Sequence, residues 1–431
     1  MARSGLSYDQ GPPFAAPLNF FLSAPFFLLL AAGLGIAHPD WLSSRWSPIN
    51  LALTHLLTLG FLAAVMVGAL LQMLPVVLGS PVRSVQRVAQ IALVGLSSGT
   101  ACLTLGFLLD EPLWLYAAML CLSIGLIPFL LAVAHSLIRT TAMPHVAWPI
   151  RLAGIALLIV LSLGILLAGG YSGLWSINAV LELTALHAAW GLIGWILILV
   201  IGLAYQVVPM LQLTPTYPTL ITRWLTWIML AGLLLFSVIT LFGIAHNEYL
   251  DGLILALSSI IFAVATLWIQ YKRRRQIPDV TLDFWRLGMA NLIAAALLYS
   301  LLPALPSPMQ PAAELSVGIL FLLGFATSVV NGMLYKIVPF LAWFHLKTQT
   351  QAKIGSIPNM KEMLPEHLAR QHLYLQRAFL ILLIPAPFFA TPLNQAVASV
   401  GLLLLAASAI RLWLTLASVK RTFRKHGGRL N

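Results

Sequence analysis

Three stretches of this chain carry nearly the same string of residues at nearly equal intervals. They are Gly68-Ala-Leu-Leu-Gln-Met-Leu-Pro75-Val-Val, Gly202-Leu-Ala-Tyr-Gln-Val-Val-Pro209-Met-Leu and Gly332-Met-Leu-Tyr-Lys-Ile-Val-Pro339-Phe-Leu. In each string a glycine is followed four residues later by Gln or Lys, and three residues after that by proline. Gly68 and Gly202 are 134 residues apart, and Gly202 and Gly332 are 130 apart. Self-similarity at a fixed period predicts one structural unit that is used three times.

The composition predicts an integral membrane protein. Of the 431 residues, 60% are hydrophobic and only 8% are charged. A soluble core does not need that much apolar surface, so the lipid bilayer is expected to surround the chain. The net charge is +12. Because the basic residues lie between apolar stretches, we expect them to contact lipid head groups, and we expect no nucleic-acid partner. Cys102 and Cys121 fall inside apolar stretches, where we expect them to pack as small hydrophobic side chains rather than to form a disulfide.

Apolar runs predict an all-α fold of twelve transmembrane helices in one domain, residues 1–431. The predicted spans are 18–37, 48–79, 86–109, 112–137, 150–170, 179–212, 221–245, 249–271, 283–305, 313–345, 374–390 and 395–419. The second, sixth and tenth spans are the long ones, and they contain the repeated string. Each is thus the second helix of a unit of four, and the three predicted units are 1–145, 146–280 and 281–431.

The charges of the connections alternate along the chain, which predicts the orientation. One set of connections is basic, and it includes Lys272 to Arg275 and Lys420 to Arg429. The opposite set carries acidic residues such as Asp110 and Glu182, and it has few basic residues besides Arg45. The positive-inside rule places the basic set and both termini in the cytoplasm. We therefore expect a protein of the plasma membrane, which in a bacterium is the inner membrane.

Two histidines are predicted to lie within the bilayer. His55 and His187 fall about two turns inside the outer ends of the second and sixth spans, a depth at which an ionisable residue is costly and marks a candidate site. Neutral imidazole is a natural ligand of haem iron and of copper. Gly191 and Gly194 share a helix face with His187, and they either leave room for a flat macrocycle or let helices approach closely. Metal ligation and helix–helix hydrogen bonding both remain open for the two histidines.

Other polar residues are weaker candidates. His38 and His246 flank outer helix ends, where they offer second metal ligands or a route for a metal to enter the protein. Asn331 is expected to face the interior of the bundle. Lys336 takes the place of Gln72 and Gln206 in the repeated string, and either a snorkelling side chain or a proton path explains it. The remaining histidines, among them His372, are expected at the cytoplasmic ends of spans as interfacial polar residues.

The chain resembles heme-copper oxidase subunit I, and most of all the oxidase-like branch that includes the NnrS family. The residues that carry this resemblance are Leu53-Thr-His55-Leu-Leu-Thr-Leu-Gly60-Phe and Leu186-His187-Ala-Ala-Trp190-Gly-Leu-Ile-Gly194-Trp195, together with the repeated string that follows each. The resemblance implies that His55 is a haem ligand and that His187 is a ligand of a metal or of haem. It also implies a link to haem, copper and the nitric-oxide response.

The sequence departs from the oxidases at two places. The seventh span, 221–245, has no adjacent histidine pair for copper, and the tenth span has no histidine before His345. A haem–copper centre cannot then be assembled in the manner of the oxidases, so oxygen reduction is not expected. We expect a membrane protein that binds haem b or handles haem and copper. Its expected partner is nitric oxide or a respiratory electron-transfer subunit. Whether it is an enzyme is left open. The alternatives are a multi-pass transporter and a cofactor-free assembly or scaffold subunit of a respiratory complex.

Overall fold

The computed structural model describes residues 11–140, 144–243, 248–274, 277–350 and 357–430, and all regular structure in these residues is helical. Nine uninterrupted long helices are α1 Ala15–Ala37, α3 Val85–Leu109, α4 Pro112–Ile138, α5 Pro144–Tyr171, α7 Thr219–Phe242, α8 Glu248–Tyr271, α9 Val280–Leu301, α11 Glu366–Leu383 and α12 Leu393–Lys425. Three longer helices each consist of three consecutive segments: α2 (Pro48–His55, Leu56–Ala63, Ala64–Leu78), α6 (Val180–Ala189, Trp190–Leu197, Ile198–Gln212) and α10 (Gln310–Ile319, Leu320–Ala326, Thr327–Thr350).

Helix ends follow local sequence signals. Ser47 caps α2, because its hydroxyl accepts a hydrogen bond from the backbone N–H of Asn50 while Pro48 occupies the first helical position,. Asp279 caps α9 in the same way by accepting from the N–H of Thr281. At the other end, α2 stops at Gly79, whose φ of 62° suits a residue without a side chain,.

Within the described residues, eleven of the helices are long and apolar enough to cross a membrane. Their boundaries agree with the predicted spans to within a few residues, except that α5 begins at Pro144 and α12 continues to Lys425. The predicted span 374–390 corresponds to α11, which begins at Glu366, ends at Leu383 and is not one of the eleven. The first half of α11 carries charged side chains and only one of its faces is buried, so the count of twelve spans stays a prediction.

The three long helices form the interior of the bundle. In the most apolar 18 residues of α2, α6 and α10, 78%, 72% and 83% of residues are buried, whereas no other candidate span exceeds 56%. The remaining helices surround them, and contacts between α4 and α5, α8 and α9, and α12 and α1 join the predicted units side by side. Any site held by the long helices is therefore enclosed by protein over most of its surface.

Each long helix contains a π-helical segment at the same place relative to the repeated string. The three segments begin at Leu56, Trp190 and Leu320. Each of these residues lies 12 positions before the glycine that opens the string. A π segment has i→i+5 hydrogen bonds, is rare, and occurs often at functional sites. The three strings thus share local backbone structure as well as residue types.

Three glycines at equivalent positions in the long helices each contact a neighbouring helix. Gly60, Gly194 and Gly324 lie within the π segments, eight residues before the glycines of the string. A Cβ at these three positions would lie 2.4 to 2.9 Å from Phe27 of α1, Ala156 of α5 and Asn291 of α9, respectively. Each long helix is therefore held close to the helix that opens its own group of four, which is the usual role of small residues in membrane bundles.

Candidate functional site

His55 lies where the first α-helical segment of α2 meets the π segment. It is seven residues, about two helical turns, after Pro48, the first residue of the helix,. Its Nδ1 lies 2.7 Å from the carbonyl oxygen of Leu51, one turn earlier. With Nδ1–H donating to this carbonyl, the lone pair of Nε2 is free for a ligand. A backbone carbonyl on the second nitrogen is the usual arrangement for a metal-binding histidine.

His187 occupies the matching depth in α6, seven residues after Val180. Its Nδ1 is buried and has no hydrogen-bond partner in the described part of the chain. The carbonyl of Val160 in α5 lies near the ring, but outside the geometry of a good hydrogen bond. A Cβ on Gly164, also in α5, would lie 3.2 Å from Cε1 of His187. The glycine thus makes the room in which the imidazole sits.

The two imidazoles face each other across the interface of α2 and α6. Their ring centroids are 6.1 Å apart and the ring planes are inclined by 34°. No hydrogen bond between the two rings, or from Nε2 of either ring, occurs among the residues with described positions. The structure therefore brings together the two histidines singled out in the sequence, and it leaves nitrogen atoms of both without a partner.

The spacing of the rings suits two ligands of one metal ion. Imidazoles that bind one ion at metal–nitrogen distances of about 2.0–2.1 Å have ring centroids roughly 5–6.5 Å apart. The distance between His55 and His187 is 6.1 Å. Both rings are partly exposed rather than sealed by packing. A Cβ on Gly191 would meet no atom closer than 3.8 Å. These residues fit two-imidazole ligation of a metal, with small residues beside His187 for a flat cofactor.

Aromatic side chains connect the histidine pair to the outer end of the bundle. Phe107 of α3 lies 5.7 Å from His55, and Tyr171 at the end of α5 packs edge-on against Phe107 at 5.5 Å. The Tyr171 hydroxyl lies beside the carboxylate of Asp110, which follows α3. The pair is thus covered by two aromatic rings and an acidic residue at its outer side.

The weaker candidates do not complete a larger metal site. His38 follows α1 with an exposed side chain, and no ring contact or hydrogen bond joins it to the histidine pair among the described residues. His246 lies outside the described residues. No group of three or more His, Cys, Asp or Glu side chains that could hold a metal occurs in the part of the chain with described positions. Within the described residues, a metal at the pair would therefore find two histidine ligands.

A second polar cluster lies between α10, α11 and α12. Asn331 donates from Nδ2 to Oε1 of Gln376 at 2.9 Å, and Gln376 donates from Nε2 to the hydroxyl of Ser328 at 2.7 Å. All three side chains are buried. Asn331 faces the interior, as the sequence predicts. Its Oδ1 has no partner among the described residues.

His372 is buried in this cluster, which differs from the interfacial position expected for it. Its Nδ1 lies 2.7 Å from the hydroxyl of Tyr335, and its Nε2 lies 2.7 Å from the hydroxyl of Ser408. Because α11 begins at Glu366, His372 is already within a helix and one turn before Gln376. Both ring nitrogens are occupied by hydroxyl groups, so His372 has a structural role and is not a free metal ligand.

Lys336 is held by an ion pair rather than by snorkelling alone. Its Nζ lies 2.8 Å from Oδ2 of Asp279, the residue that caps α9. Burial would raise the pKa of Asp279, but hydrogen bonding and charge from Lys336, with hydrogen bonds from Thr281, outweigh it, so the pKa lies below its ordinary value,. The side chain that replaces Gln72 and Gln206 thus connects α10 to α9.

An apolar cavity of about 70 Å³ lies between the three long helices. Its lining includes Met66 of α2, Leu203 of α6 and Met333 of α10, closed by Phe21 and Trp285. All of its lining side chains are apolar or aromatic, so the only metal ligands it offers are methionine thioethers, which suit Cu(I), and it has no histidine or carboxylate,. The histidine pair, which lies outside this lining, is therefore the better candidate site.

No protein-family model matches this sequence, and no curated protein matches it. The chemistry of the histidine pair is thus the basis for a functional proposal.

Proposed function

We propose that this chain is a membrane protein that binds one haem b between His55 and His187, with a copper ion as the alternative occupant. The observation that carries the proposal is the 6.1 Å spacing of the two ring centroids, together with Nδ1 of His187, which is buried and has no partner in the described structure. Uncharged imidazoles that only join two helices would hydrogen-bond to each other or to the facing helix. Here Nδ1 of His55 bonds to its own helix instead.

In this proposal His55 and His187 would hold the cofactor, and neighbouring residues would orient the two imidazoles. Leu51 fixes the tautomer of His55, since Nδ1–H donates to its carbonyl,. Gly164 and Gly191 supply the space beside His187. A bound haem would supply one-electron transfer or a binding site for a diatomic molecule such as nitric oxide. Phe107 and Tyr171 limit the access of water from the outer side.

The proposed scaffold is that of heme-copper oxidase subunit I, with α11 as a twelfth span and three units of four helices. The matched π segments and glycine contacts of α2, α6 and α10 support the three units. The basic connections support cytoplasmic termini in a bacterial inner membrane. In the proposed function nitric oxide or a respiratory electron-transfer subunit is the partner. Oxygen reduction is not part of the proposal, because the chain lacks the further histidines that a haem–copper centre needs.

The experiment is to purify the protein from haem-sufficient and copper-sufficient cells and to measure both cofactors per chain. The expected result is a Soret band and a pyridine haemochrome spectrum of haem b at about one equivalent, or one equivalent of copper by metal analysis in its absence. His55→Ala and His187→Ala should each remove the cofactor. His38→Ala is the matched control, since this exposed histidine also lies at the outer side and should leave cofactor content unchanged.

Two results would overturn the proposal. One is wild-type protein that is folded, colourless and free of copper after expression with both cofactors in supply. The other is a cofactor that stays bound at the wild-type level in the double variant of His55 and His187, which would place its ligands elsewhere.

A further inference from the structure

The lipid-facing surface of the bundle has an open groove between α11 and α12, with a volume of about 720 Å³. Its polar lining side chains are Gln371 and Tyr374 of α11 and Arg411 of α12, and its other lining residues are apolar. Tyr374 is 57% exposed, so the groove faces away from the bundle and toward lipid. It is separate from the histidine pair between α2 and α6.

Arg411 lies within α12, is half-buried, and has no ion-pair partner among the described residues. It is 14 residues before Lys425, the end of the 33-residue helix α12. No ion pair or side-chain hydrogen bond joins its guanidinium to any residue that the structure describes. A half-buried arginine that faces lipid is favoured by an anionic partner, and its five N–H donors suit an anion that accepts two hydrogen bonds.

Among the described residues, no carboxylate forms an ion pair with Arg411 on the protein side. Its charge acts there on Tyr335 and His372, which are both uncharged in their ordinary state. Those two side chains are already hydrogen-bonded to each other, and His372 also bonds to Ser408. The partner of the guanidinium must therefore approach from the groove.

The polarity of α11 places the groove at the level of lipid head groups. Gln371 and Tyr374 are exposed in the first half of this helix and Arg377 is exposed one turn later, whereas Ile381, further along, is exposed and apolar. The boundary between head groups and acyl chains therefore crosses α11 between Arg377 and Ile381, with Tyr374 on the head-group side. Arg411 lines the same groove as Tyr374, so it lies at the same depth.

We propose that this groove binds an anionic phospholipid, with the lipid phosphate paired to Arg411. The guanidinium binds two phosphate oxygens, and the Gln371 amide and the Tyr374 hydroxyl donate to the remaining ones. An acyl chain lies along Ala378 and Ala407, whose small side chains form the apolar part of the groove. The lining contains no carboxylate for the ammonium of a zwitterionic lipid, so phosphatidylglycerol or cardiolipin is preferred over phosphatidylcholine.

The test uses the full-length protein in detergent, with native mass spectrometry of retained lipid and thermal unfolding in the presence of added phosphatidylglycerol, phosphatidylcholine or inorganic phosphate. Wild-type protein should retain one anionic lipid and should be stabilised by phosphatidylglycerol alone. Arg411→Met, which keeps an unbranched side chain but removes the charge and the N–H donors, should weaken phosphatidylglycerol binding about tenfold or more, since a charge-assisted hydrogen bond contributes about 1.5–3 kcal/mol. Arg87→Gln is the control, because Arg87 is an exposed arginine at the end of a different helix.

Ala407→Leu provides a second variant that leaves Arg411 in place. It fills the apolar part of the groove and should also prevent lipid retention, which gives a result even if Arg411→Met does not accumulate. Equal binding of phosphatidylcholine, equal stabilisation by inorganic phosphate, or unchanged lipid retention in folded Arg411→Met or Ala407→Leu would each overturn the proposal.

Discussion

Lys336 of α10 and Asp279, the cap of α9, form an ion pair with an Nζ–Oδ2 distance of 2.8 Å. Lys336 replaces a glutamine that the other two strings carry at the same position. The other oxygen of Asp279 accepts from the backbone N–H and the hydroxyl of Thr281. One carboxylate thus caps α9 and attaches it to the long helix that it packs against.

We expect the stability of the protein to fall in acid through this carboxylate. The pKa of Asp279 is lowered from its ordinary value of 3.8. The ionised carboxylate therefore stabilises the folded protein fully above pH 3.8, and this stabilisation is lost as the pH falls from 3.8 through the lowered pKa,. Asp279→Asn keeps the helix cap but removes the charge, and it should cost about 1 kcal/mol at neutral pH. Thermal unfolding in detergent from pH 7 to pH 3 measures both effects. A variant as acid-sensitive as wild type would contradict this assignment.

Two glycines of α5 provide a matched test of the space at His187. A Cβ on Gly164 would lie 3.2 Å from the imidazole, whereas a Cβ on Gly154 would meet nothing within 4 Å. Gly164→Val should therefore displace the ring and lower cofactor content at least about tenfold, because ligand geometry is lost. Gly154→Val should leave it unchanged. Cofactor per chain, measured on folded protein by optical spectroscopy and metal analysis, distinguishes the two. Equal content in both variants would count against a site at His187.

Gln376 should contribute measurably to stability, because it bonds to both Asn331 and Ser328. Gln376→Leu leaves these buried groups without their partner and should cost about 1–3 kcal/mol. Adding Asn331→Leu should recover part of that loss, since removal of both partners is less costly than removal of one. Unfolding midpoints of the two single variants and the double variant test this coupling. Additive losses would show that the contact contributes nothing.

The glycine of the third string should tolerate no side chain. A Cβ on Gly332 would lie 2.9 Å from Cβ of Phe284 and 3.1 Å from the carbonyl oxygen of Thr281. Gly332→Ala should therefore destabilise the protein by about 1–3 kcal/mol through separation of α10 and α9. Gly318→Ala in the same helix meets nothing within 4 Å, so it should not destabilise. The comparison of their unfolding temperatures requires no cofactor, and a smaller effect at Gly332 than at Gly318 would refute it.

The sequence predicts much of the fold because hydropathy and length are local properties. Runs of apolar residues locate α2, α6 and α10 within a few residues, and these three are also the most buried helices. The start of α11 was not predicted, since its first half is stabilised by one buried face rather than by a continuous apolar run. His372 was assigned to the interface for this reason. A sequence signal exists, because His372 and Gln376 are four residues apart and thus share a helix face.

The meeting of His55 and His187 could not be read from the repeat. His55 lies 13 residues before Gly68, but His187 lies 15 residues before Gly202, so the two are not at equivalent positions. Their proximity arises from the way α2 and α6 pack around a common centre, which depends on contacts such as those of Gly60 and Gly194. The depth of each histidine was predictable, whereas the distance between the rings is a tertiary property.

The three π segments also determine where the chain can change its length. A π turn accommodates one residue more than an α turn. Deletion of one residue within Leu320–Ala326 can thus be absorbed by conversion of that turn to α-helix, with the faces on both sides kept. The same deletion within Thr327–Thr350 would rotate every later side chain of α10 by about 100°. Leu56–Ala63 and Trp190–Leu197 have the same property, so the interior of this bundle has three matched points at which insertions and deletions preserve its register.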